Sequence, residues 1–166
     1  MTPFLSHAPH PRGGLYYEDF EVGAVLTHRL TRTVTQTDNI LFSSMTLNPQ
    51  PLHIDAHFCA TETDWGRPLM NSLFTLGLMI GISVNDLTLG TTIGNLGMTG
   101  VRFPAPLFEG DTVHVTTEVA AKRVSRSRPD AGIVDLIHRA YQQDEVLVAE
   151  CRRQAFMRRR LAVSGA

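Results

Sequence analysis

Cysteine is scarce: Cys59 and Cys151 are the only two in 166 residues. Two thiols cannot build a Cys-only zinc site or a disulfide framework. They read instead as reduced, mostly buried thiols of a cytosolic protein. Of the seven histidines only His53 and His57 stand four apart, and Ile54 takes the place of the zincin glutamate, which speaks against a transition-metal enzyme. Net charge is nearly absent, with 15 Lys and Arg against 16 Asp and Glu. That balance leaves no electrostatic footprint for nucleic-acid binding, and the arginine-rich end lacks the interleaved aromatics of an RNA surface. No apolar run reaches the roughly 20 residues of a membrane span. Residues 1–14 have no apolar signal core and read as a loose leader. With 43% hydrophobic and 19% charged residues, disorder and coiled coil are both excluded. One domain over 15–160, with a tail at 161–166, is long enough to bury its own core.

The most apolar stretch, LMNSLFTLGLMIGISV at 69–84, is apolar on every side when wound as a helix, so a buried helix is expected there. Asn71 or Ser72 would cap its start. Gly77 and Gly81 lie on one face, and each costs a helix about 1 kcal/mol, so a close packing partner is the natural reason for both. Val25–Thr35 reads as a strand. Thr37 and Asp38 then stand before a short helix at Ile40–Met45, with Asp38 as a cap, and Asp55 stands before another helical segment reaching Thr63. Four strand-like runs follow the long helix, at Gly94–Phe103, Asp111–Lys122, Ile133–Gln142 and Val146–Met157. In the second, Val113, Val115, Thr117 and Val119 alternate with polar residues, as in a half-buried strand. The expected class is α+β, an antiparallel sheet against one helix.

The segment FSSMTLNPQPLHIDAHFCATETDWGRPLMNSLFTLGL, Phe42 to Leu78, carries a family pattern. Pro51-Leu52-His53-Ile54-Asp55 and Gly66-Arg67-Pro68, followed by a helix start at Ser72, resemble the MaoC-like hydratases. So do Arg102-Phe103-Pro104-Ala105-Pro106 and Glu109-Gly110-Asp111. The resemblance spans roughly Tyr17 to Met157. It implies a hot-dog fold, a sheet wrapped round one long helix, and a homodimer or higher homo-oligomer with acyl-CoA near the subunit interface. It also implies an enoyl-CoA hydro-lyase in the cytoplasm, with CoA as part of the substrate and no metal or separate cofactor. Three positions depart from the pattern. Asn48 stands where the family has its catalytic Asp, Gln50 where it has Asn, and Asn71-Ser72 where it has His-Gly.

Hydration of an enoyl thioester needs a base for water, an acid for the α-carbon and donors for the thioester oxygen. The resemblance places His53 as the acid/base, with Asn48 and Gln50 positioning water and substrate. Backbone N–H groups near Asn71 and Ser72, at the positive helix start, would form the oxyanion hole. Asn48 cannot act as a base, though its amide can orient water. A substrate that itself bears a carboxylate, of the mesaconyl-CoA or itaconyl-CoA type, would make a protein carboxylate repulsive there. Arg126 and Arg128 are candidates for the CoA phosphates. Asp55 is expected to cap rather than catalyse, and no role falls to His57, His114 or His138. Two other readings stay open: a hot-dog thioesterase, though Ser72–Val84 holds no carboxylate, and a non-catalytic acyl-CoA-binding protein, which the loss of the Asp would suit.

Overall fold

The computed structural model describes residues 8–160. Its elements are β1 (Val25–Thr27), β2 (Arg32–Thr33), α1 (Gln36–Met45), α2 (Pro51–Ile54), α3 (Ala56–Glu62), α4 (Ser72–Leu87), β3 (Thr92–Arg102), β4 (Thr112–Val124), β5 (Ala131–Tyr141) and β6 (Leu147–Arg158). The sheet runs β1-β4-β5-β6-β3, antiparallel throughout, with β2 also on β4. α4 packs on β4, β5 and β6. The α+β class, the helix and the four later strands stand where the hydrophobic pattern placed them.

The departures are local. The expected first strand is broken in two. β1 pairs Thr27 with Thr116 and β2 pairs Arg32 with Val113, so the intervening residues bulge. His28 is drawn inward there, with its N–H on the Val115 carbonyl. α1 begins at Gln36, four residues before Ile40, because Thr35 and Asp38 close a reciprocal capping box. The Thr35 Oγ1 accepts from the Asp38 N–H, and Asp38 Oδ2 accepts from the Thr35 N–H, so Asp38 occupies the first turn rather than the cap. Asp55 does cap α3, accepting from the Phe58 N–H at 2.9 Å. The leader is bound by its last residues: the Gly14 N–H donates to the Leu89 carbonyl, so closely that a Cβ would stand 2.4 Å from that oxygen. Residues 1–7 and the tail at 161–166 lie outside the described residues.

α4 is not enclosed on every side. Thr75, Met79, Ile82, Ser83 and Leu87 face the sheet, while Leu73 is 60% exposed and Gly77 and Gly81 lie open beside it. A Cβ at either glycine would meet nothing within 4 Å, so the packing partner expected for them is not found among the described residues.

The core divides into two apolar clusters. One gathers Phe20, Leu26, Leu87, Val119, Leu136, Ala155 and Met157. The other gathers Met70, Met79, Ile82, Leu107, Val113, Val115, Ala140, Val148 and Cys151. A polar seam crosses between them. Thr117 on β4, His138 on β5, Arg153 on β6 and Ser83 on α4 each fall between a residue of one cluster and a residue of the other. The seam begins at Asp86, whose Oδ2 accepts from His28 Nδ1 at 3.0 Å. That proton leaves His28 Nε2 as the acceptor for the Thr117 hydroxyl at 2.8 Å. The Thr117 oxygen accepts in turn from His138 Nδ1 at 2.8 Å.

Candidate active site

Asn39 organises the site. It stands on the inner side of α1, fully buried. Its Nδ2 donates to the His53 carbonyl at 2.8 Å and to the Leu69 carbonyl at 3.0 Å. Its Oδ1 accepts from the Asn71 N–H at 2.9 Å. Two donors and one acceptor are thus all used, and the partners fix which way the amide points. One side chain ties together the short helix bearing His53, the segment before α4 and the cap of α4. Gln36 reinforces the first of these, donating to the His53 carbonyl at 2.8 Å.

His53 is half-buried on α2, a single turn begun by Pro51, whose missing N–H costs nothing there. Its Nδ1 lies 2.8 Å from the Leu69 carbonyl. A carbonyl only accepts, so Nδ1 carries the hydrogen of the neutral ring and Nε2 carries the lone pair. The ring is therefore held in the tautomer that a general base at Nε2 requires.

Asn48 and Gln50 lie on the loop entering α2. Asn48 Oδ1 accepts from the Gln50 N–H at 3.1 Å, and the Gln50 carbonyl accepts from the His53 N–H. At the start of α4 the donors divide. The Asn71 N–H is taken by Asn39, the Leu73 N–H by the Asn71 side chain at 3.0 Å, and the Thr75 N–H by the Asn71 carbonyl. The Ser72 and Phe74 N–H groups make no bond to a described residue. Of the N–H groups at this helix start, those of Ser72 and Phe74 are thus the ones left open among the described residues, and the Asn71 N–H is occupied.

An apolar groove of about 500 Å³ opens beside this helix start, lined by Trp65, Leu69, Met70, Ser72, Thr75 and Val148 among others. Leu69 both lines it and holds His53. In an adjoining pocket that shares Ala105 and Pro106 with the groove, Arg67 stands 4.0 Å over the Phe108 ring, which also packs against Trp65. Arg126 and Arg128 are elsewhere. They sit in the β4–β5 loop, beyond the far end of a 13-residue strand that starts near the groove. At roughly 3.3 Å per residue that is about 40 Å away. Arg128 is paired with Asp130 at 2.6 Å. Asn39 and Gln36 were missed by sequence reasoning; the available signal was an amide among the apolar residues of a short helix. Among the described residues, no three His, Cys, Asp or Glu side chains could hold a metal ion. No helix among the described residues is long and apolar enough to cross a membrane.

A family model described as MaoC like domain matches residues 19–141. The 3-hydroxybutyryl-CoA dehydratase of Methylorubrum extorquens is 34% identical over 118 residues, 69% of this chain and 69% of that protein. The β-methylmalyl-CoA dehydratase of Chloroflexus aurantiacus is 30% identical over 147 residues, 89% of this chain. This chain spans only 41% of that relative's length. A Mycobacterium tuberculosis protein with a double hotdog fold superposes with a TM-score of 0.81 at 24% identity, over 93% of this chain and 47% of its own. The antiparallel sheet around α4 is that fold in a single copy.

Proposed function

This chain belongs to the MaoC-like domain family, and we propose that it adds or removes water across the double bond of an enoyl-CoA thioester. The observation that carries the proposal is the His53–Leu69 hydrogen bond, which leaves a basic Nε2 on the segment that borders the groove. In hydration, His53 Nε2 takes a proton from water as the oxygen attacks the β-carbon. The double-bond electrons move toward the thioester oxygen, which the Ser72 and Phe74 N–H groups stabilise at the positive end of α4. The imidazolium then returns the proton to the α-carbon, so one water is added overall. Asn48 orients the water through its amide. The acyl group is a branched or carboxylate-bearing one; the name of the Chloroflexus relative supports that choice. Arg67 is better placed than Arg126 or Arg128 for the charged end of CoA. The working unit is a homodimer, supported by the open face of Leu73, Gly77 and Gly81 and by the paired folds of the mycobacterial structure. Two buried, unpaired cysteines suit the reducing cytoplasm.

The test is decay of the enoyl-thioester absorbance with crotonyl-, mesaconyl- and itaconyl-CoA. His53→Ala is expected to lower kcat/KM by at least about 100-fold. Activity within a few-fold of the parent would end this assignment. A non-catalytic acyl-CoA binder is the second reading, favoured by Asn48 Oδ1 being spent on the Gln50 N–H. A ligand-induced rise in Tm with no turnover of any thioester would select it. The thioesterase reading finds no support in α4, whose one carboxylate, Asp86, is held by His28 at the helix's far end.

A further inference from the structure

Arg153 is the only lysine or arginine among the described residues that is buried, at 5% exposure. Its Nε and Nη1 are sealed from solvent and have no acceptor among the described residues. Partly exposed arginines of the sheet are treated differently: Arg139 lies between Glu118 and Glu150, and Arg152 meets Asp135. The inner face of the sheet supplies no such partner. The titratable neighbours of Arg153 are Cys151 and His138. Burial pushes the Cys151 thiol up to about 11 and the His138 ring down to about 3, so both are neutral at pH 7. His138 Nε2 is itself buried without a partner. A guanidinium left in that setting calls for an anion.

The surroundings narrow the source of that anion. Val148 lines the groove, and Cys151 belongs to the same apolar cluster as the groove residues Met70, Leu107 and Val148. Arg153 is the next inward position along β6, beneath α4. The groove's lining stops at Val148, so an acyl chain that enters beside Ser72 and Thr75 reaches Arg153 by displacing the packed side chains of Met79, Ile82 and Cys151 along this inner face. A second copy offers little instead. β3 contains no Asp or Glu, and the open face of α4 at Leu73, Gly77 and Gly81 carries none. We propose that Arg153 binds a carboxylate at the far end of the acyl chain and so selects dicarboxylic over uncharged acyl thioesters. This rests on the acyl-CoA reading above, and it adds the residue that reads the acyl end.

Arg153→Met keeps the volume and removes the charge. The experiment measures kcat/KM for 2-enoyl-CoA thioesters of four to eight acyl carbons, each with and without a terminal carboxylate. The parent is expected to prefer the carboxylated member of the matched pair, and Arg153→Met to collapse that preference by about 100-fold. In parallel, calorimetry compares binding of saturated succinyl-, glutaryl- and adipyl-CoA with the uncharged thioesters of equal length. This arm decides the role of Arg153 even if the parent turns over no thioester, in which case only the hydratase assignment falls. Arg153→Met is also expected to raise Tm, because an uncompensated buried charge is removed. Equal binding of charged and uncharged thioesters by the parent would overturn the proposal. So would an unchanged preference in the variant, or a lower Tm with loss of the dimer, which would mark a carboxylate from a second copy.

Discussion

Asn39 and Arg153 are both buried polar residues, each lying where three elements meet, yet their surroundings follow opposite rules. Asn39 meets two carbonyls and one N–H, all neutral backbone groups, and nothing on it is left unpaired. Arg153 lies beside, and unbonded to, the end of a hydrogen-bond chain that runs from Asp86 through His28 and Thr117 to His138, and both Arg153 and His138 are left with orphan atoms. A network closed on backbone groups fixes geometry and does not titrate, which suits the positioning of His53. A network of ionisable side chains depends on protons and on whatever fills its open end. The contrast locates pH sensitivity in the seam rather than at the groove.

Acid is the strongest way to test that. The His138 pKa is lowered from 6.5 to about 3, chiefly by burial and then by the Arg153 charge. His28 is lowered as well, burial outweighing the attraction of Asp86. For a base with a depressed folded pKa, the unfolded chain takes up a proton that the folded chain refuses. Stability is therefore intact above about 6.5 and is lost as pH falls toward 3, by on the order of 4–5 kcal/mol from His138 alone. The salt-bridged carboxylates Glu18, Asp38 and Glu150 are held below their usual range, so their loss begins only at lower pH. Denaturant unfolding between pH 7 and 4.5 should thus show a steep decline in the parent and a flatter one in His138→Asn. A flat parent curve would erase the distinction between the two networks.

The groove side is tested by Asn39→Leu. The Leu69 carbonyl keeps His53 Nδ1, and the His53 carbonyl keeps Gln36, but the Asn71 N–H loses its only acceptor. One orphaned donor and the lost bonds put the cost at about 2–3 kcal/mol, and the cost should not vary with pH. Because α2 and the start of α4 are no longer tied, kcat should fall by at least about tenfold while KM changes less. A stability loss that grew on acidification would show that the node titrates too.

Those two experiments bear on what the sequence could and could not reveal. α4 and the four long strands were legible because hydrophobic period and turn residues determine them locally. Asp55 was legible as a cap for the same reason. His53 was legible through its neighbours in sequence. Asn39 was not, because its three partners at 53, 69 and 71 are distant in sequence and are backbone groups, which every residue has. Arg153 was read only as part of a basic C-terminal run. Its burial follows from strand parity, since Cys151, Arg153, Ala155 and Met157 share the inner face, and parity needs the register that pairing alone supplies. The open face at Gly77 and Gly81 marks the remaining limit. Two glycines predict a close neighbour without saying where it comes from, and none stands over them among the described residues.

The smallest expected effect asks whether the seam acts as one chain or as separate bonds. Asp86 is partly exposed, so its hydrogen bond from the neutral His28 ring is weakened by solvent, and an asparagine there can still accept from His28 Nδ1. Asp86→Asn should cost only about 1 kcal/mol at pH 7. Asp86 is what partly offsets burial at His28, so its removal depresses the His28 pKa further. The gap from the unfolded value widens, and stability must then fall faster between pH 6.5 and 5 than in the parent. Unfolding measured at pH 7 and pH 5 separates the cases. A difference between parent and variant that grows on acidification means that the carboxylate governs the ring two bonds up the chain from His138. An equal difference at both pH values means that His28 is set by burial alone, and that the seam's response to acid originates at the Arg153 end.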